Sequence, residues 1–293
     1  MVQLSAMLGF IVDLLARFVG LLPASAALRF GKFLGLVWFH IVRIRRRTVE
    51  GALATTFPDW DRRAVRRVAR ELYLNLGRHA VEFLRAVRGR PLPPVVVKGL
   101  ERYEKALAEG RGVIVATAHL GNWDLAACSQ ARAGRRLVLL SRRLSNRSLD
   151  RRWMRWRRRF GLEIIDEDAP VGEMAAILRG GGALVLLIDQ ATPPDRGGVR
   201  APFLGRLAWT TRLPALLSLR TGAPVLPVFA ESRPDGSHVV HVEAPVTVEG
   251  GDAPVQTAER ALRMTAALSQ RLEARVRAHP EQWLWLHRRW KEP

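Results

Sequence analysis

His119 and Asp124 stand five residues apart in His119-Leu120-Gly121-Asn122-Trp123-Asp124. The segment directly follows the apolar run Gly112-Val113-Ile114-Val115-Ala116-Thr117-Ala118. An imidazole held by a carboxylate is a general base with its orienting acid, able to take a proton from a hydroxyl. The spacing recurs at His238/Glu243 and His287/Glu292, so context must choose among the three. His238 to Glu243 reads as a strand, and an odd separation on a strand sends two side chains to opposite faces. His287 and Glu292 fall at the C-terminal end, where order is least assured. Only His119 sits at an expected strand end, with a glycine turn and an N-capping Asn122 ahead of an expected helix. A second reading of the segment makes His119 a strand-end histidine satisfied by a nearby carboxylate for structure alone.

Elements that would position these groups can be read along the chain. Val95 to Val97, the run before His119, Leu137 to Leu140, Leu162 to Ile165, Ala183 to Ile188, Pro224 to Phe229 and Val239 to Val248 read as strands. Helices are expected over Asp59 to Arg88, Glu101 to Glu109, Asn146 to Phe160, Pro170 to Leu178, Trp209 to Arg220 and Thr257 to Ala278. The alternation predicts an α/β fold with a mixed, largely parallel central sheet flanked by helices. In such sheets sites gather beyond the carboxyl ends of strands. Asp189-Gln190 ends one apolar strand as His119 ends another, so both are expected in one pocket. Thr192 to Gly198 is expected as a polar loop. Neither a Walker loop, a zinc spacing nor a Gly-x-Ser-x-Gly elbow is present, and no metal is expected.

The 293-residue chain carries 47 basic against 27 acidic side chains, a formal charge of +20. Lysine occurs only at 32, 98, 105 and 291. The single Cys128 excludes an internal disulfide and a cysteine metal cluster; it is expected as a small core residue. Eleven arginines but one acid, Asp150, lie between Arg135 and Arg159, interleaved with Trp153 and Trp156. Such a basic aromatic helix fits nucleic acid or an anionic membrane surface with tryptophan at headgroup depth. The apolar stretches Leu4 to Leu22 and Ala24 to Val42, followed by Arg43, Arg45, Arg46 and Arg47, favour the membrane. Asp13 and Arg17 could pair on one helix face. The expected organisation is an N-terminal membrane-associated helical segment over 1–47 and a second domain over 48–293. Alternatives are a buried helix hairpin for the N-terminus and, for the whole chain, a basic nucleic-acid-binding module.

The order of these segments resembles the late lipid A acyltransferase branch of the lysophospholipid acyltransferase superfamily. His119 to Asp124 resembles its first motif. Arg142 and Asn146 resemble the second, Arg157 and Arg159 the arginines before a glycine, and Asp189-Gln190 the third. Pro202-Phe203-Leu204-Gly205 with Thr210-Thr211 resembles the fourth, and His279 to Trp290 the branch's C-terminus. The branch usually carries Glu where this chain has Asp124; Asp is the common form in its glycerolipid relatives. The resemblance implies transfer of a fatty acyl group from a thioester, on acyl carrier protein or CoA, to a lipid hydroxyl, with no cofactor. It implies His119 as base and Asp124 as its orienter. N–H groups near Gly121 and Asn122 would meet the oxyanion. Arg142, Asn146, Arg157 and Arg159 would hold phosphates of the acceptor or of the donor arm, and Asp189 and Gln190 would bind an acceptor hydroxyl or brace an arginine. The implied partners are an anionic membrane surface, a phosphorylated glycolipid acceptor and the acyl donor, not nucleic acid. The implied place is the cytoplasmic face of the cell inner membrane, with a lipid A precursor as acceptor, or alternatively a phosphatidylinositol mannoside or another glycolipid or lysophospholipid.

Overall fold

A computed structural model of the chain describes residues 2–248 and 254–291. Glu292, the acid of the third histidine spacing, lies outside them. Four helices come first: α1 (Val2–Leu21), α2 (Ala24–Val37), α3 (Arg46–Thr56) and α4 (Arg62–Val87). β1 (Val95–Lys98), α5 (Leu100–Ala108), β2 (Val113–Thr117), α6 (Trp123–Arg132), β3 (Leu137–Ser141) and α7 (Arg147–Arg159) follow. The chain continues through β4 (Glu163–Asp166), α8 (Val171–Arg179), β5 (Ala183–Leu187), β6 (Gly198–Phe203) and β7 (Arg206–Thr211). It closes with α9 (Leu213–Thr221), β8 (Val225–Ser232), β9 (His238–Val242) and α10 (Pro254–Ala278).

Among the described residues seven strands form one sheet in the order β1-β9-β8-β2-β5-β3-β4. Every pairing in it is parallel except β8 with β9. The central strands β2 and β5 are apolar and buried up to their last residues, Thr117 and Leu187, as strands covered on both faces must be. On β2 the side chains alternate: Val113 and Val115 join one core, Ile114 and Ala116 the other. Helices α8, α9 and α10 cover one face and α5, α6 and α7 the other. Helix α4 feeds both cores, with Leu72 and Tyr73 in one and Val81 and Phe83 in the other.

One expected helix is wrong at its start. Trp209 to Thr211 belong to β7, which pairs with β6 as an antiparallel hairpin, and the helix begins only at Leu213. The hairpin turns at Leu204 and Gly205, with φ of 51° and 77°. A two-residue turn with both φ positive matches strand twist, but a leucine there hides the turn from a sequence reading.

The apolar N-terminus packs tightly on the rest. Gly31 and Gly35 of α2 face Gly77 of α4, and a Cβ on Gly31 would lie 2.9 Å from the Gly77 carbonyl oxygen. Small residues are what let two helices approach this closely. Met7, Phe10, Ile11, Leu14, Phe18 and Leu21 of α1 remain exposed. Ala24–Val42, which is α2 plus a π turn, is long and apolar enough to cross a membrane. Asp13 does not rely on Arg17: it accepts from Arg152 of α7 at 2.8–3.2 Å. Cys128 is fully buried among apolar side chains, and burial raises its thiol above the usual range.

Candidate active site

The register of β2 and β5 sets the site. Thr117 and Leu187, the last residues of the two strands, are parallel partners, and Ile188 N–H donates to the Thr117 carbonyl at 2.8 Å. His119 and Asp189 each lie two residues further on, so the sheet delivers them side by side. His119 Nδ1 is 2.9 Å from Asp189 Oδ1. The same carboxylate also accepts His119's backbone N–H and Trp283 Nε1–H at its Oδ2, both at 3.0 Å. Burial pushes the Asp189 pKa upward, but the charge and hydrogen bonds of His119, with Trp283, outweigh it and hold it at about 2. Asp189 is therefore a fixed anion. It accepts a hydrogen bond from Nδ1–H, which leaves the ring's lone pair on Nε2, on a side chain 17% exposed. The ring is packed edge-to-face on Trp123 at 5.0 Å, and the Gln190 side-chain nitrogen is 3.5 Å from Nε2.

Asp124 is not the partner of His119. Its Oδ1 accepts from Arg157 Nε at 2.8 Å and its Oδ2 from Trp153 Nε1 at 2.8 Å. The cause is helical geometry. Asp124 lies in the first turn of α6, where its side chain meets Trp153 and Arg157 of α7. Arg157, expected to reach phosphates, is instead buried, bonded to Asp124 and, through Nη1, to Ser141 Oγ at 3.0 Å. Gly121, expected to offer its N–H to an oxyanion, instead donates it to the Gln282 carbonyl at 3.0 Å. What only glycine permits there is φ of +57° beside the Ala230 carbonyl, which a Cβ would approach to 2.6 Å.

The other expected site residues divide. Asn122 and Asn146 are N-caps of α6 and α7. Arg142 and Arg159 line an open cleft of about 810 Å³ at the carboxyl ends of β3 and β4, with Arg143, Arg151, Arg155 and Arg158. Arg142 there meets Glu167 at 3.2 Å. The cleft and the His119 corner are joined through Ser141, Arg157 and Asp124.

The sequence reading assigned no role to two side chains of the C-terminal segment. Trp283 is one, through its bond to Asp189. His287 is the other: its Nε2 accepts the Ala191 N–H at 3.0 Å, and burial lowers its pKa to about 4. It is thus a neutral ring protonated at Nδ1. The segment is clamped to the corner by Leu284 N–H donating to the His119 carbonyl at 3.0 Å. Trp283 to Leu286 are all apolar, so no alternation in the sequence marks this stretch as lying against a strand end.

The family described as bacterial lipid A biosynthesis acyltransferase matches residues 2–292. A phosphatidylinositol mannoside acyltransferase of Mycobacterium tuberculosis (strain ATCC 25618 / H37Rv) is 28% identical over 201 residues, 67% of this chain and 60% of that protein. A phosphatidylinositol mannoside acyltransferase of Mycolicibacterium smegmatis is 27% identical over 222 residues, 74% of this chain and 69% of that protein. Among solved structures, the 1-acyl-sn-glycerophosphate acyltransferase PlsC of Thermotoga maritima aligns at 16% identity with a TM-score of 0.36, over 86% of this chain and 97% of that one.

Proposed function

The chain belongs to the bacterial lipid A biosynthesis acyltransferase family, and from that membership we propose that it moves a fatty acyl group from an acyl thioester to a lipid hydroxyl, with His119 as the base. The observation that carries the reading is the His119–Asp189 contact of 2.9 Å at paired strand ends. His119 Nε2 takes the proton of the acceptor hydroxyl as its oxygen attacks the thioester carbonyl carbon. Asp189 stabilises the imidazolium that forms, as the acid does in a Ser-His-Asp triad. The C–S bond then breaks, and the departing thiolate takes the proton from Nε2 to leave as a thiol. The substrate hydroxyl is itself the nucleophile, so the protein supplies none. The first turn of α6 sets its N–H groups and positive dipole end beside this corner, where an oxyanion develops. The corner has no need of Gly121's N–H.

The arginine-lined cleft is read as the phosphate site, with Arg142 and Arg159 in it. Arg157 acts instead as the buried counter-ion of Asp124. The donor is an acyl carrier protein or CoA thioester. Family membership over nearly the whole chain favours this reading over nucleic-acid binding. For the acceptor, the family's description supports a lipid A precursor, and the two mycobacterial relatives support a phosphatidylinositol mannoside. The exposed apolar face of α1, the Ala24–Val42 stretch and the basic charge support membrane association. We place the protein at the cytoplasmic face of the inner membrane, against anionic lipid.

The test is direct. Full-length protein in detergent is offered acyl-CoA or acyl carrier protein thioester, with a lipid A precursor or a phosphatidylinositol mannoside, and the lipids are weighed by mass spectrometry. One glycolipid is expected to gain one acyl mass. Folded protein that acylates neither acceptor from either donor overturns the proposal.

A further inference from the structure

A second set of polar side chains is buried beneath the His119 loop. Arg78, His79 and Glu82 of α4, Asn122, Ser232 of β8, His238 of β9 and Gln282 are each less than a tenth exposed. Buried polar groups are costly unless satisfied, and none of these enters the acyl-transfer chemistry.

The bonds define an ordered chain. Asn122 Oδ1 accepts the Leu125 N–H at 3.4 Å as the cap of α6, so its Nδ2 must be what faces Glu82 Oε2 at 2.8 Å. Glu82 must therefore present an acceptor. His238 Nε2 lies 3.1 Å from the same Oε2, a close contact rather than a straight hydrogen bond. His238 Nδ1 is 3.0 Å from Ser232 Oγ, and Ser232 Oγ is 2.8 Å from His79 Nε2. One hydroxyl has one proton, so only one of the two histidines can receive it. The order that fits the single hydroxyl proton runs from His79 Nε2–H to Ser232 Oγ and from Ser232 O–H to His238 Nδ1, which turns His238 Nε2–H toward Glu82. Arg78 Nε, 3.6 Å from Glu82 Oε1, offsets the charge. His79 Nδ1 then carries no proton and has no partner among the described residues. Burial lowers the pKa of His79 well below its usual value, in keeping with that neutral ring.

The same cluster grips the loop a second time. The Gln282 side chain bonds Ser232 in both directions, at 2.8 Å and 2.9 Å, while the Gln282 carbonyl accepts the Gly121 N–H. Gly121 and Asn122 are thus tied from below at two successive residues, separated from His119 by Leu120 alone.

We infer that Glu82 is a positioning residue for His119, holding the loop and the start of α6 through Asn122, with the hydrogen-bond order of the buried chain setting which atom donates to which. It rests on the reading of His119 as the base. A group displaced by about 1 Å loses about 100-fold in rate, which sets the scale of the expected effect.

The order can be reversed. Asn122→Asp alone sets two carboxylates against each other. Glu82→Gln alone turns its amide oxygen to the Asn122 Nδ2–H and keeps that contact. Together they restore complementarity. The introduced amide nitrogen at position 82 donates to the introduced carboxylate at position 122 and to His238 Nε2. His238 Nδ1–H then donates to Ser232 Oγ, and Ser232 O–H donates to His79 Nε2. Asn122→Asp is expected to lose about 100-fold in kcat with KM nearly unchanged, and Glu82→Gln to stay within about tenfold of the parent. The double variant is expected to return to within about tenfold of the parent. Nitrogen-15 spectra of His238 are expected to show the Nε2–H tautomer in the parent and Nδ1–H in the double variant. Amide exchange of Leu120 to Leu125 is expected to quicken in Asn122→Asp and slow again in the double variant.

An Asn122→Asp variant with parental kcat overturns the inference. So does a double variant that does not fold, or that folds without regaining turnover. If the parent itself transfers no acyl group, the assignment of His119 fails separately. The tautomer and the exchange rates then still decide whether Glu82 holds the loop.

Discussion

Asp189→Asn is expected to lower kcat by on the order of 10⁴-fold while leaving the fold intact, the scale seen when the corresponding carboxylate of a Ser-His-Asp triad becomes an amide. The reason lies in what each oxygen accepts. Oδ2 receives two N–H groups, from His119's backbone and from Trp283, and Oδ1 receives His119 Nδ1–H. An amide nitrogen at the Oδ2 position would face two donors. It therefore takes the Oδ1 position and donates to His119 Nδ1. That places the ring proton on Nε2, where the base needs a lone pair. Steady-state turnover with a circular dichroism melt checks this. A variant within about tenfold of the parent would remove Asp189 from the role given to it.

The second large effect concerns stability. Arg157→Met removes the guanidinium that bonds Asp124 Oδ1 and leaves a buried carboxylate with only the Trp153 N–H. Breaking a buried pair by removing one partner costs about 3–5 kcal/mol. Urea unfolding of Arg157→Met is expected to show a loss of that size. Adding Asp124→Asn is expected to restore much of it, because a neutral amide no longer needs the counter-ion. An Arg157→Met variant as stable as the parent would show that Asp124 does not depend on Arg157.

These two pairs mark what the sequence disclosed and what it withheld. His119, Asp124, Asp189 and Arg157 are all visible as chemistry-bearing residues at or near expected strand ends and helix starts. The choice of partners is not visible from them. It depends on β2 pairing with β5 in the register Thr117–Leu187, across about 70 intervening residues, and periodicity along one strand says nothing of register with another. The equal offset of His119 and Asp189 from their strand ends is the available signal. Asp124 draws attention by spacing alone, yet its place in the first turn of α6 turns it toward Arg157.

The parallel sheet is legible because uninterrupted apolar runs such as Val113 to Ala116 and Ala183 to Leu187 admit few other readings. The β6–β7 hairpin is not, since Leu204 in a left-handed conformation gives no turn signal. Glu82 escapes notice for a different reason. On an amphipathic α4 rich in arginine, one more charged residue looks like part of the solvated face. Only its burial at 3% exposure, beside Arg78 and His79, separates it from the others.

The central claim is that His119 Nε2 takes the proton from a lipid hydroxyl. The measurement that meets it most directly is acyl transfer by His119→Ala in the same detergent assay, with protein whose melt matches the parent. Loss of a general base is expected to cost about 10²–10⁴-fold in kcat, with binding of the acyl donor retained. Transfer at the parental rate by a folded His119→Ala protein would contradict the account.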